Sequence, residues 1–191
     1  MEIQQEIGFQ LGMLSVRYLG VPFVTRRLTD RDWKLLVEKM IAKINHWATK
    51  FLSYAGCLQL IQSVLYSIQN FWCTQFFLPK SVFKRLNQLC SNFFWKGSSD
   101  SKRGARVKWQ EVCHSKDEGG LGLKDILSWN QASMIQHLWS IFSKLGSIWI
   151  AWIHAYELKG RNIWQASMFA SCSWSWKKIL QLRSLARQFV V

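Results

Sequence analysis

The chain has 191 residues, of which 49% are hydrophobic, and its 25 Lys and Arg against 11 Asp and Glu leave a formal charge of +14. That apolar share is enough to build a core and excludes a wholly disordered tail. The basic excess favours a polyanionic partner held through a basic surface, nucleic acid or an anionic membrane, and charge alone does not choose among RNA, DNA and lipid headgroups because phosphate binding needs only a basic surface.

Residues 1–10 contain two glutamates and no apolar run, so no secretory signal is expected. Residues 7–19 mix Gly8 and Gly12 with Phe9, Leu11, Leu14, Val16 and Tyr18, a pattern that predicts a small β hairpin ending at Gly20-Val21-Pro22. Thr29 or Asp30 then caps a helix to about Lys50. Its apolar arc holds Trp33, Leu36, Val37, Met40, Ile41, Ile44 and Trp47, with Lys34, Glu38, Lys39 and Asn45 opposite.

A second helix is predicted from Gly56 to about Phe76. Residues 51–79 carry no Lys, Arg, Asp, Glu or His, yet helical projection places Gln59, Gln62, Ser63, Gln69 and Asn70 on one face. A membrane span would not turn such an amide stripe to lipid, so no membrane partner is expected. Leu78-Pro79-Lys80 breaks the helix before a third, Ser81 to about Trp95.

Residues 97–106 are rich in Ser, Gly, Lys and Arg and read as a loop and boundary. Arg106-Val107-Lys108-Trp109 follows as a strand or extended lead-in to a helical turn through Cys113. Gly119, Gly120 and Gly122 then punctuate before helices at about Lys124–Leu145 and Ser147–Leu158, and a basic amphipathic tail runs from Trp174 to Phe189 with Lys177, Lys178, Arg183 and Arg187. Of the twelve tryptophans, Trp33, Trp47, Trp72 and Trp139 read as core, and Trp149, Trp152, Trp174 and Trp176 as an exposed patch.

Catalytic chemistry finds no anchor. Metal-dependent polymerisation needs carboxylates converging on divalent ions; Asp30-x-Asp32, the nearest approach, opens a helix among arginines and reads as capping. Gly119-Gly120-x-Gly122 weighs toward a tight turn rather than a phosphate cradle, because no Gly-Lys-Ser/Thr follows. Cys113-His114 lacks tetrahedral ligand spacing, and no Gly-x-Ser-x-Gly elbow occurs. The five cysteines, Cys57, Cys73, Cys90, Cys113 and Cys172, are odd in number and have no Cys-x-x-Cys, as expected of reduced thiols in an intracellular protein. No catalytic residue, metal ligand or cofactor is expected. What remains are two basic clusters, Arg26, Arg27 and Arg31 at the first helix and Lys102, Arg103, Arg106 and Lys108 before Trp109, suited to phosphates with an aromatic nearby for base stacking.

Four blocks occur in order: Tyr18-Leu19-Gly20-Val21-Pro22, Leu52-Ser53-Tyr54-Ala55-Gly56, Phe93-Phe94-Trp95-Lys96-Gly97 and Glu118-Gly119-Gly120-Leu121-Gly122-Leu123. With Leu58 to Leu65, Phe77-Leu78-Pro79, Val107-Lys108-Trp109 and Trp129-Asn130-Gln131-Ala132, they resemble the region that follows the palm in plant LINE-type (non-LTR) retrotransposon reverse transcriptases. Cys57 and Ser115 stand where that family commonly has arginine and proline. The patterns along the chain predict a mainly α fold: a small N-terminal β element (1–24), a bundle of three helices (25–97), and a basic loop with a second C-terminal helical unit (98–191); the resemblance implies that the helical bundle is thumb-like. It further implies a non-catalytic fragment of an RNA-directed DNA polymerase with residual template or primer binding. Its partners would be the parent element's palm, whose aspartates precede the first block, and its zinc-binding region further downstream. The alternative is a helical protein-interaction module, co-opted by a host, that uses the C-terminal tryptophans.

Overall fold

The computed structural model describes residues 16–18, 20–24, 26–48, 52–96, 107–166, 168 and 172–188. The chain is mainly helical, as expected, and divides into two compact units, Met1–Leu35 and Leu36–Val191.

In the first unit, strands β1 (Val16–Tyr18) and β2 (Val21–Phe23) pair antiparallel, with Tyr18 opposite Val21 and Val16 opposite Phe23. The expected hairpin exists, but its turn lies further along. Gly20 takes φ 82°, a left-handed backbone that glycine adopts without strain, and so joins the two strands instead of ending them. Pro22, which lacks an N–H, is accommodated in a ladder of only two strands. Residues 7–15 of the predicted pattern lie outside the described residues.

Helix α1 (Asp30–Ala48) starts in the first unit and continues into the second. Of the two candidate caps, Thr29 takes the role: its carbonyl accepts from the Asp32 and Trp33 amides at 3.0 and 3.3 Å. Trp33, Leu36, Met40 and Ile44 are buried along one stripe, while Lys39, Lys43 and His46 face outward.

In the second unit, α2 (Tyr54–Leu60), capped by Ser53, passes through a π-helical turn at Ile61–Leu65 into α3 (Tyr66–Gln75). The wider turn corrects the predicted amide face. A π turn carries more residues per revolution, so everything after Leu65 is rotated relative to the plain helical projection. Gln69 moves from the edge of the polar arc into the core, where it is 2% exposed and its Nε2 donates to Met40 Sδ (3.2 Å) and Cys90 Sγ (3.5 Å). Gln59, Gln62, Ser63 and Asn70 remain exposed.

Helix α4 (Lys80–Lys96) packs on α2 and the π turn, with Leu86, Leu89, Cys90 and Phe93 fully buried. Val107 and Lys108 lead into α5 (Trp109–Cys113) without forming a strand. A 3₁₀ turn, Lys116–Glu118, precedes α6 (Ile126–Phe142), which packs along α3 and touches α4.

The predicted helix after Gly146 is α7 (Ile148–Trp152), continued by a second π turn, Ile153–Leu158. The amphipathic tail forms two helices, α8 (Trp174–Gln181) and α9 (Arg183–Ala186). Leu138, Ile141, Ile150, Ile153, Leu158, Ile163, Trp176, Ile179 and Leu180 form the core that α6 shares with these C-terminal elements.

Two tryptophan assignments are corrected. Trp139, expected in the core, is 49% exposed because α6 turns Leu138 and Ile141 inward; Trp176, expected on the surface, is 6% exposed because the apolar stripe of α8 carries it inward with Ile179 and Leu180. Trp149 and Trp152 are exposed as expected, at 43% and 49%.

Candidate nucleic-acid interface

The first basic cluster lies at the start of α1. The Arg26 guanidinium donates to both carboxylate oxygens of Asp32, at 2.7 and 3.2 Å, and to the Arg27 carbonyl at 3.1 Å. Asp32 also accepts from the Thr29 amide (2.7 Å) and hydroxyl (2.9 Å), reaching back to its cap as an acidic third residue does. The adjacent guanidinium, with the Thr29 donors, holds the Asp32 carboxyl well below the usual carboxylate range. Asp32 is therefore a structural carboxylate, and Arg26 is occupied in holding it. Arg27 and Arg31 are exposed.

From the second cluster, Lys102, Arg103 and Arg106 lie outside the described residues. Lys108 is exposed and precedes α5, its carbonyl accepting from Glu111 and Val112 at 3.0 and 3.3 Å. Trp109, the predicted stacking aromatic, is half-buried with its ring edge-on to Phe94 at 6.2 Å.

A basic feature not singled out in the sequence sits on α1. Lys39, Lys43 and His46 fall within a narrow arc at i, i+4 and i+7 and, with Ala42 and Ile68, line a groove of about 570 Å³. The signal was legible as a helical spacing, but a solvated helix face gives the same one. The basic tail contributes less than its sequence suggests. Arg183 donates Nη1 to the carbonyls of Ile163 (2.9 Å), Trp164 (3.1 Å) and Ala166 (2.7 Å), and Nε to that of Leu180 (3.0 Å), so its fork ties the backbone together.

The glycine block is a turn. The amides of Gly119, Gly120, Leu121 and Gly122 donate to the carbonyls of Lys116, Ser115, Val112 and His114 at 2.9–3.1 Å, so these four N–H groups are not available to cradle a phosphate. Ser115 and Glu118 close a capping box around it. A Cβ on Gly120 would stand 2.2 Å from the His114 oxygen, which is the physical reason for glycine there.

Three of the four ordered blocks meet at this turn. Tyr54, Phe94 and Trp95, with Glu118 to Leu121, line one groove, in which Phe94 and Trp95 lie edge-on at 4.8 Å and Tyr54 packs on Phe94 at 5.8 Å. The blocks thus act as packing elements.

Among the described residues no group of three or more His, Cys, Asp or Glu could hold a metal ion, and no helix is long and apolar enough to cross a membrane. Burial pushes the thiols of Cys73 and Cys90 up to about 12 and that of Cys113 to about 11, so each stays protonated at neutral pH and is a poor nucleophile.

With this geometry in hand, two similarities bear on the chain. It is 32% identical over 129 residues, 68% of its length, to an Arabidopsis thaliana protein named "Putative ribonuclease H protein", of which the match covers 21%. It is also 26% identical over 111 residues, 58% of its length, to an "Uncharacterized mitochondrial protein" of Arabidopsis thaliana, of which the match covers 72%. The chain therefore spans about a fifth of the first relative. No family model and no solved structure matches it.

Proposed function

We propose that the chain is a non-catalytic helical segment of a LINE-type retrotransposon reverse transcriptase and that it holds nucleic acid through its basic surface. The observation that carries the binding role is the cationic surface itself: Lys39 and Lys43 side by side on α1, and the exposed Arg27, Arg31 and Lys108, in a chain of charge +14. Such side chains displace condensed counterions from a phosphate backbone without reading bases. The ordered blocks and the relative named for ribonuclease H support a place within a larger nucleic-acid-processing protein. Template and primer are the partners this reading assigns.

The test is fluorescence anisotropy with labelled single-stranded RNA, single-stranded DNA and duplex between 50 and 200 mM salt, conditions over which several phosphate contacts would weaken binding by roughly ten- to a thousandfold. Binding that does not change with salt, or no binding at all, would sink this reading. Primer extension with magnesium or manganese is expected to give no product.

A second reading, a protein-interaction module, is favoured by one observation: Trp139, Trp149, Trp152 and Tyr156 are 43–65% exposed on α6, α7 and the second π turn. It predicts a salt-insensitive association through those rings.

A further inference from the structure

We infer that the cavity between α3 and the start of α6 takes one unpaired base of a single-stranded nucleic acid, with Lys124 on the adjacent phosphate; this rests on the nucleic-acid reading and names where a base would be held. The cavity measures about 330 Å³, at the lower end of the roughly 300–1,000 Å³ usual for small-ligand sites. Its wall is assembled from two segments distant in sequence, the π turn with α3, and the stretch from Gly122 into the first turns of α6. Gln69, Cys73 and Ile126 are buried and form its floor, whereas Gln62, Asn70, Lys124 and Trp129 are exposed and form its rim.

The chemistry of that rim suits a nucleotide. The Lys124 ammonium lies over one face of the Trp129 indole, 3.7 Å from the ring centroid, so a cation and an aromatic ring meet at the rim, and a base would stack on the ring as the ammonium turns to its phosphate. The Trp129 Nε1 donates to Asn70 Oδ1, which fixes the ring and leaves the Asn70 amide N–H groups as donors. Gln62 adds a second primary amide, and Gln69, whose nitrogen is turned to Met40 and Cys90, has its carbonyl oxygen left as an acceptor. Donors and acceptors of this kind read the edge of a splayed-out base.

No carboxylate lines the cavity itself. A purely apolar ligand would strand the Gln69 amide. The π turn supplies the reason the wall exists: π segments inside α-helices are rare and occur frequently at functional sites, and this one widens the helix between Leu60 and Tyr66, where Gln62 faces the cavity.

The experiment compares a labelled 12-nucleotide RNA with an abasic strand of the same length and phosphate count. The full-length chain is expected to bind the base-bearing strand about tenfold more tightly, the effect of one stacked base. Trp129→Leu should abolish that preference, Gln62→Ala should reduce it, and Lys124→Gln should reduce the salt slope on both strands by about 0.7. Gln62 is on the rim, so its variant carries the test even if Trp129→Leu fails to fold. Equal affinity of the unsubstituted chain for both strands, or a preference undiminished by Gln62→Ala, overturns the base site while leaving phosphate binding standing. Failure to bind either strand overturns both.

Discussion

The side-chain amide of Asn130, 3% exposed on α6, donates to the carbonyl of Cys73 at 2.7 Å. The same amide donates to Phe76 O at 2.8 Å, and its Oδ1 accepts from the Leu78 amide at 3.3 Å, so one residue satisfies the end of α3 and the chain that leaves it. His137 continues the seam, its Nε2 2.7 Å from Thr74 O. Asn130→Ala would leave buried backbone groups unpaired and should cost about 3 kcal/mol. Asn130→Asp, which replaces the donor by an acceptor facing two carbonyls, should be no milder. Urea midpoints measure both; a loss below about 0.5 kcal/mol, the range of ordinary surface changes, would refute the seam.

Gly119 and Gly120 are equivalent in the sequence and different in the fold. Gly119→Ala meets no neighbour within 4 Å and suffers only the strain of φ 83°, about 1 kcal/mol. Gly120→Ala drives a Cβ into the His114 carbonyl and should cost more, about 2–3 kcal/mol. Thermal melts of the two variants should keep that order.

The Arg26–Asp32 pair predicts an acid limb. Because the folded carboxyl lies below its unfolded value, its stabilisation is complete above the normal aspartate range and is lost as pH falls through the folded value. Asp32→Asn should remove that part of the pH dependence of unfolding. Circular dichroism between pH 2 and 6, roughly the span over which a depressed aspartate acts, would show a flatter curve for the variant. Superimposable curves would show that Asp32 contributes nothing.

Arg183→Ala should loosen Ile163–Ala166, whose carbonyls the guanidinium gathers, and cost about 2 kcal/mol. Arg183→Lys should recover only part of this, since an ammonium lacks the planar fork. Faster proteolysis within residues 159–173 is the expected readout, and unchanged cleavage would contradict it.

On the interaction-module reading the exposed rings associate with a protein surface, and a second copy of the chain presents the same rings. Trp139→Gln with Trp152→Gln should raise the monomer fraction in sedimentation velocity with little change in stability, because both side chains are about half exposed. A sedimentation profile identical to that of the unsubstituted chain would remove the support for the interaction-module reading.

The sequence by itself determined which segments are helical and where most of them break. The apolar stripe of α1 is local information, as are the Ser53 cap and the stop at Pro79, because capping and 3.6-residue periodicity act within a turn or two. It also determined the charge. What it could not determine lies in contacts between distant residues. Gln69 belonged to an amide stripe until a π turn rotated it inward onto two sulfurs, and Trp139 and Trp176 exchanged expected places because each helix turns toward the core a stripe that its neighbours select. Asn130 looked like one more polar residue, and the fold makes it the clamp on α3. The cavity beside Trp129 exists only once α3 and α6 are packed, since its walls come from residues 62–73 and 122–129. Helical propensity is local and additive; burial, and the shape of a site, depend on which faces meet.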